Sequence, residues 1–313
     1  MNALILADIE GIIGINDLDD REKCKTLYTK EIEVYINALL KNGVKKIILC
    51  DAHDHGTAGS LISDSVISNQ VQLISKITDI DFTNNFDFAI LVGFHGMENS
   101  PGILPHTIRF DFKQICINNI PVGEVELFSR WLGAKGIPVI LVTGDREAMY
   151  EANCYNPYRA SCCVKSLLQE NNAINPDLLY EKLSLNTVDA LKLDKSLCIS
   201  LDQDAISLEF YNPDMIHLID ESYTKQDEKV IFKNCTEFIY RMTDLAMAVS
   251  QFTKNIFESN IAFLKEVRTL AKHIKKEDAK NSEVGKLLNN NLVFIDEKSK
   301  SKILNILREL AQQ

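Results

Sequence analysis

The stretch "LILADIEGIIGI", from Leu4 to Ile15, is an apolar run that carries two acids, Asp8 and Glu10, in its middle. In a strand, side chains two positions apart point to the same face, so the two carboxylates would stand side by side. Gly11 follows and suits a turn at the end of the strand. Two like charges in apolar surroundings are costly unless they share a proton or a cation lies between them. The pair therefore indicates either a metal site or a solvated strand end.

Outward from this stretch, apolar runs alternate with amphipathic segments. Helices are predicted in "TKEIEVYINALLKNG", which ends at Gly43, and in "VELFSRWLGAKG". Strands are predicted in "VKKIILCDAHDHG", "FDFAILVGFHG" and "IPVILVTGD", and a hairpin in "IRFDFKQICINNIPVGE" around Asn118 and Asn119. Buried strands that alternate with helices predict an α/β fold, built on a mainly parallel sheet with flanking helices.

The second half of the chain has a different pattern. From about Gln169 to Lys225 the segments are shorter and more polar, with one or two strands in "SLCISLDQDAISLEFYN". From about Cys235 the pattern is helical, with the charged "KKEDAKNSEVGK" as a loop before a final helix in "KILNILRELAQQ". We predict an α/β domain over 1–168 that carries the candidate site, a smaller α+β subdomain over 169–250 and a helical C-terminal extension over 251–313.

Composition limits the classes of partner and location. The 313 residues include 34 basic and 44 acidic side chains, a formal net charge of -10, with no dense basic block, so we expect no nucleic-acid partner. The N-terminal apolar run is interrupted by acids and lacks a basic segment before it, so we expect neither a signal peptide nor a membrane span. The eight cysteines include no C-x-x-C pair, which favours reduced thiols in a cytoplasmic protein.

Side chains with metal-binding or acid–base chemistry follow several of the predicted strands. They are Asp8, Glu10, Asp51, His53, His95, His106, Glu124 and Asp145. Ligands of open α/β sheets bind outside the carboxyl ends of the strands, which is where most of these residues fall. Histidine with carboxylate is a donor set suited to zinc, and bridging carboxylates serve two-metal hydrolytic sites. We interpret the other histidines, His55, His217 and His273, as structural.

Taken in order, these pieces resemble the zinc-dependent D-aminopeptidases, the metallopeptidase family typified by the D-aminopeptidase of bacterial dipeptide-transport operons. "LADIEG" is similar to the family's opening S-x-D-x-E-G, with Leu6 in place of the serine, and Asp51 and His53 match its D-x-H element. "GFH", "PGILPHT", "NNIPVGE" and "VTGD" match the elements that follow, in the same order. Weaker similarity continues to about Val249, so the final helices exceed the family pattern.

The resemblance implies five zinc ligands: Asp8, Glu10, His53, His95 and Glu124. These would hold two zinc ions, with Asp8 bridging them, and the metals would lower the pKa of a water that attacks the substrate. The resemblance gives His106 a catalytic role, as nucleophile or as general acid/base. The implied enzyme is an aminopeptidase that removes an N-terminal residue, with a D-alanine-like preference, from short peptides or amides. The implied assembly is a ring-like homo-oligomer, a homodecamer.

Two departures from the family pattern leave alternatives open. Leu6 removes a hydroxyl group close to Asp8, and "NPYRASCC" matches the family's lysine and arginine only at Arg159. One alternative is a zinc amidase that acts on a specialised amide or peptide intermediate of a biosynthetic pathway. Another is a non-catalytic, metal-stabilised binding or assembly protein. Asp51 and Asp54 are candidate partners that orient the ligating histidines, or ordinary turn residues.

Overall fold

A computed structural model describes residues 1–53, 60–165, 175–271 and 297–311. The predictions for Asp54, His55, His273 and the charged loop 275–286 fall outside these residues. In chain order the elements are β1 (Asn2–Ala7), α1 (Arg21–Lys41), β2 (Lys46–Asp51), β3 (Val71–Ile74), β4 (Phe88–Phe94), β5 (Phe112–Ile117), β6 (Ile120–Pro121), α2 (Glu124–Gly133), β7 (Val139–Asp145), α3 (Arg146–Tyr155), β8 (Ala160–Lys165), α4 (Pro176–Ala190), β9 (Ile206–Phe210), β10 (Thr224–Gln226), β11 (Lys229–Phe232), α5 (Cys235–Ala271) and α6 (Glu297–Ala311).

The central sheet has six parallel strands in the order β3-β2-β1-β4-β7-β8. In β1, Leu4 pairs with Ile48 of β2 on one side and with Ala89 of β4 on the other. A parallel sheet needs cover on both faces, which explains the continuous apolar runs of its central strands. The predicted α/β fold class, with a mainly parallel sheet and flanking helices, is therefore confirmed.

Helices cover the sheet through their apolar stripes. On one face, Ile5 of β1 belongs to the same buried cluster as Tyr35 of α1 and Leu183 of α4. Elsewhere Phe94 at the end of β4 meets Phe128 of α2 edge to face, with 5.8 Å between ring centroids. Burial of such large side chains is the main source of stability in this sheet.

Strand β1 ends at Ala7, before Asp8 and Glu10, so these two acids do not lie on the alternating strand that the sequence predicted. The Asp8 N–H still donates to the Val92 carbonyl, at 2.8 Å, but the Gly11 N–H donates to the Gly93 carbonyl, at 2.7 Å. A turn therefore brings Glu10 to the carboxyl edge of the sheet, and the two acids are neighbours for a different reason than the one the sequence suggested.

The predicted hairpin lies at β5 and β6, which pair antiparallel. Asn118 and Asn119 have φ angles of 52° and 63°, which is the pair of positive values that a type I′ turn requires. A second sheet has the strand order β10-β11-β9-β5-β6. The strand predicted in "SLCISLDQDAISLEFYN" corresponds to β9.

One helix of the second half was not predicted. The segment after Gln169 was interpreted as short and polar, yet α4 runs for fifteen residues with Asn175 as its N-cap and a proline in its first turn. Leu178 and Leu185 on this helix are each 60% exposed, so they blur the apolar stripe that would mark its buried face.

The chain divides into two compact units. The first comprises Met1–Ile108, Gln114–Ser207 and Phe232–Tyr240, and the second Arg109–Lys113, Leu208–Ile231 and Arg241–Gln313. Within the second unit, Phe263 and Val267 of α5 pack with Ile303 and Leu307 of α6. The domain boundaries predicted at 168 and 250 stay a prediction. In the described part of the chain, no helix has both the length and the apolar character needed to cross a membrane.

Candidate metal centre

The first group of the candidate site consists of Asp8, Glu10 and His53, whose ligand atoms lie within 4.8 Å of one another. His53 Nδ1 is 3.2 Å from Glu10 Oε1 and 3.7 Å from Asp8 Oδ1. Asp8 and Glu10 follow β1 and His53 follows β2, two neighbouring parallel strands. The carboxyl ends of these strands therefore bring the three side chains together.

The second group consists of His95, His106 and Glu124, and its ligand atoms also lie within 4.8 Å of one another. His95 follows β4, and its Nε2 is 3.4 Å from Oε1 of Glu124, the first residue of α2. The rings of His95 and His106 stack with 4.2 Å between centroids and 12° between planes. All three side chains are buried or half-buried.

Asp8 connects the two groups. Its Oδ1 faces His53, while its Oδ2 is 3.4 Å from Nε2 of His95. Glu10 also faces both groups, since its Oε1 is 3.9 Å from Nε2 of His106. One carboxylate with an oxygen toward each group is the arrangement that a bridging ligand of two metal ions requires.

Backbone carbonyls fix the tautomers of two histidines. His95 Nδ1 donates to the Gly96 carbonyl at 2.9 Å, and His106 Nδ1 donates to the Leu104 carbonyl at 3.0 Å. A carbonyl only accepts, so in the neutral rings the lone pair lies on Nε2, the nitrogen that faces the site. Such partners hold a metal-ligating imidazole in one orientation.

Asp51, predicted as a partner of a ligating imidazole or as a turn residue, contacts backbone and hydroxyl groups. Its Oδ1 accepts from the His53 backbone N–H at 3.3 Å and from the Tyr28 hydroxyl at 3.1 Å. Its Oδ2 accepts from the hydroxyl of Ser60, at 2.6 Å, and from the N–H of Leu61, at 2.9 Å. Asp51 therefore shapes the chain that presents His53.

Three buried atoms of the site have no hydrogen-bond partner within the described part of the chain: Asp8 Oδ2, Glu10 Oε2 and His95 Nε2. An unpaired buried polar atom costs free energy, and structures rarely leave one without a reason. Carboxylate oxygen and imidazole nitrogen are zinc donors. The residues present therefore fit a zinc site.

Burial and the proximity of charges set the electrostatics of the site. Burial and the charge of Glu10 raise the pKa of Asp8 well above its usual value. Burial would raise the pKa of Glu124, but His95 outweighs it and the pKa falls to about 2. Burial would lower the pKa of His53, but Glu10 and Asp8 outweigh it and raise the pKa to about 11. Neighbouring carboxylates also raise the pKa of His95, so protons on His53 and His95 balance the carboxylates, and a bound cation would replace those protons.

A glycine at the end of β4 makes room for Asp8. Gly93 has a φ angle of 73°, and a Cβ there would lie 2.1 Å from the carbonyl oxygen of Asp8. Gly136 has a similar φ angle, 71°, with no atom within 4 Å of a built Cβ. Both glycines have a left-handed φ angle, but only Gly93 lacks the space for a Cβ atom.

We expect Gly93→Ala to destabilise the protein by at least about 3 kcal/mol, because the new methyl group overlaps backbone and strains a left-handed residue. Gly136→Ala is the matched control and should cost only the strain, about 1–2 kcal/mol. Urea unfolding of both variants measures the difference. Equal losses would contradict the role of Gly93 as space for the Asp8 turn.

A model of the D-aminopeptidase family matches residues 1–219, a range that includes all six candidate residues. The chain belongs to the D-aminopeptidase family. It is 27% identical over 229 residues to the D-aminopeptidase of Bacillus subtilis (strain 168). That alignment covers 68% of this chain and 82% of the Bacillus subtilis protein. The predicted family, and with it the prediction that the chain is an enzyme of the aminopeptidase type, is confirmed.

A solved structure supports the fold of this family member. It is that of the Zn-dependent D-aminopeptidase DppA from Bacillus subtilis, a self-compartmentalizing protease, and it superposes with a TM-score of 0.70 at 22% identity. The alignment covers 80% of this chain and 98% of DppA. The shared architecture therefore extends over nearly the whole of DppA and leaves part of this chain unmatched.

Sequence reasoning missed two buried charged residues that contact the chain just after Glu10. Glu31 of α1 accepts from the Ile13 N–H at 2.9 Å, and the Lys165 ammonium at the end of β8 donates to the Ile15 carbonyl. Both therefore hold the chain that follows Glu10. Burial raises the pKa of Glu31 to about 7 and lowers the pKa of Lys165 to about 8. An acid within the apolar stripe of α1 was the available signal for Glu31.

The raised pKa of Glu31 predicts a pH-dependent stability. The ordinary value is 4.5, so the folded protein holds a proton that the unfolded chain releases, and this stabilisation is lost as the pH rises through about 7. Between pH 5 and pH 8, we expect the free energy of unfolding of the zinc-free wild type to fall by about 2 kcal/mol more than that of Glu31→Gln. Urea unfolding at both pH values tests this. Exposed Glu33 gives the control, Glu33→Gln, which should follow the wild type.

Proposed function

We propose that this family member is a dinuclear zinc aminopeptidase. One zinc would be held by Asp8, Glu10 and His53, and the other by His95 and Glu124 together with Asp8. The observation that carries the proposal is the position of Asp8, whose two carboxylate oxygens face the two groups, one of them without a hydrogen-bond partner in the described residues. Zinc is also the metal named for DppA, whose fold this chain shares.

Zinc held by these residues would act as a Lewis acid on the scissile carbonyl and would lower the pKa of a bound water toward neutrality. His106 can exchange a proton with the reacting groups, because its Nδ1 is fixed on the Leu104 carbonyl while its Nε2 faces Glu10. Burial and the charge of His95 lower the pKa of His106, which keeps its imidazole neutral and able to accept a proton near pH 7. We therefore assign His106 as a general acid/base.

The substrate belongs to the same proposal. Five ligands for two metal ions would leave open coordination positions, and the neutral α-amino group of a short peptide would bind at one of them. The name of the Bacillus subtilis relative, D-aminopeptidase, supports preference for an N-terminal D-residue such as D-alanine. A homo-oligomer, by family resemblance a homodecamer, and a cytoplasmic location complete the proposal. DppA is described as self-compartmentalizing, and all eight cysteines of this chain are free thiols.

The test is release of free amine from D-alanyl and L-alanyl dipeptides and from D-alanine amide by the zinc-loaded full chain. Glu10→Gln removes one proposed ligand, and Glu33→Gln is the matched control on an exposed position of α1. We expect hydrolysis of the D-dipeptide by the wild type and the control, and none by Glu10→Gln. Hydrolysis of the L-dipeptide alone would contradict the D-preference.

Two other outcomes would replace the proposal. A protein that binds two zinc ions and cleaves only the amide would be a zinc amidase with a specialised substrate. A protein that binds zinc and cleaves none of the three compounds would instead be a metal-stabilised binding protein.

A further inference from the structure

Asp145, at the end of β7, is a fully buried carboxylate that accepts three backbone hydrogen bonds. Its Oδ1 accepts from the Ala148 N–H at 2.9 Å and so caps α3. Its Oδ2 accepts from the Gly96 N–H at 3.1 Å and from the Ile103 N–H at 3.4 Å. The first bond belongs to a helix cap, whereas the other two reach a loop of the candidate site.

That loop, residues 96–105, joins His95 to His106. The His106 N–H donates to the Gly96 carbonyl at 3.3 Å, so the two ends of the loop meet where the histidine rings stack. Gly102 lies against the same carboxylate, since a Cβ built on it would be 3.0 Å from Asp145 Oδ2. Asp145 therefore lies directly beneath the loop and holds it at two points.

We propose that Asp145 is a positioning residue that fixes loop 96–105 and thereby holds His106 against His95 in the site. The proposal rests on the proposed function, because the position of His106 matters only for the proton transfer that the proposed function gives it. Only a carboxylate can accept from all three N–H groups, since asparagine has one acceptor oxygen and its amide group donates. A negative charge at this position is also favourable at the N-terminus of α3.

Asp145→Ser separates the two roles of the side chain. Serine is a good N-cap and can still serve α3, but it is too short to hold Gly96 and Ile103. Asp20→Ser is the matched control, because Asp20 caps α1 in the same way, through a bond from the Lys23 N–H of 3.0 Å. No candidate site residue lies on α1.

Three measurements on the zinc-loaded full chain test the proposal. We expect Asp145→Ser to lower kcat by about 10²-fold, since small displacements of a catalytic group have effects of this size. KM and zinc content should stay close to the wild-type values, and Asp20→Ser should keep wild-type kcat. Amide hydrogen exchange of Gly96 and Ile103 should become faster in Asp145→Ser, while the amide of Ala148 stays protected.

Asp145→Thr is the second variant if the serine variant does not fold. Threonine is also an N-cap residue, and its hydroxyl group is likewise too short to hold Gly96 and Ile103, so the same loss of kcat is expected. Wild-type kcat together with wild-type exchange at Gly96 and Ile103, in either variant, would overturn the proposal. If the wild type cleaves no substrate, the proposed function fails, and the exchange of these two amides alone decides whether Asp145 holds the loop.

Discussion

Asp8→Asn is expected to abolish peptide hydrolysis and to remove zinc from the half of the site that the new amide N–H₂ group faces. Asp8 offers one oxygen to the group around His53 and the other to His95. Asparagine keeps one acceptor oxygen and turns an N–H donor toward one of the two positions, where it would repel a cation. We expect a loss of at least about 10³-fold in kcat/KM, more than the 10- to 100-fold effect typical of a residue that only orients a ligand.

The same substitution should stabilise the protein when zinc is withheld. Burial and the charge of Glu10 raise the pKa of Asp8 well above its ordinary value, so this carboxyl group lowers the stability of the zinc-free protein at pH values above that ordinary value. Removing the ionisable group should therefore raise the stability of the zinc-free protein. A metal site whose charges destabilise the zinc-free protein is a common compromise between stability and activity.

Thermal unfolding with chelator and with excess zinc tests both effects together. Asp8→Asn should have the higher Tm with chelator, and the wild type should have the higher Tm with zinc. Asp64→Asn, on an exposed aspartate of the same unit, should follow the wild type in both conditions. A lower Tm of Asp8→Asn in both conditions would indicate a structural role, because a mere packing defect does not depend on zinc.

Much of this site was predictable because it follows from local patterns and one rule of topology. Apolar runs locate the buried strands, and parallel strands bring their carboxyl ends to one edge of the sheet. Asp8, His53 and His95 each come directly after such a run, so their convergence needed no knowledge of distant contacts. The hairpin at Asn118 and Asn119 was predictable for a similar reason, since two positive φ angles demand such residues.

What the sequence concealed are contacts between residues far apart in the chain. Asp145 was noticed as a residue at a strand end, but its bonds to Gly96 and Ile103 span more than forty positions and leave no periodic signal. Lys165 donates to the carbonyl of Ile15, 150 residues away in the chain. It is the last residue of β8, whose sequence, "ASCCVK", has few of the residues that favour strands. Backbone N–H and carbonyl groups are common to almost all residue types, so no sequence motif records contacts of this kind.

His106→Ala is expected to lower kcat by about 10²- to 10⁴-fold, the usual contribution of a general acid/base, while both zinc ions stay bound. Its imidazole stacks on His95 and faces Glu10, but it also lies close enough to His95 and Glu124 to share a metal with them. Zinc content measured beside activity separates these roles, because loss of a ligand would leave one zinc per chain. His217→Ala is the control, since His217 is exposed and belongs to the second unit.

Added imidazole gives the decisive arm of this experiment. A small base that diffuses into the space left by His106→Ala can replace a proton-transfer group, so partial recovery of kcat with two zinc ions bound would support general acid/base catalysis. Release of the first amine in a burst by the wild type would instead indicate that His106 acts as a nucleophile and forms a covalent intermediate. A variant that holds two zinc ions and keeps wild-type kcat would contradict both roles, and catalysis would then rest on the metal ligands alone.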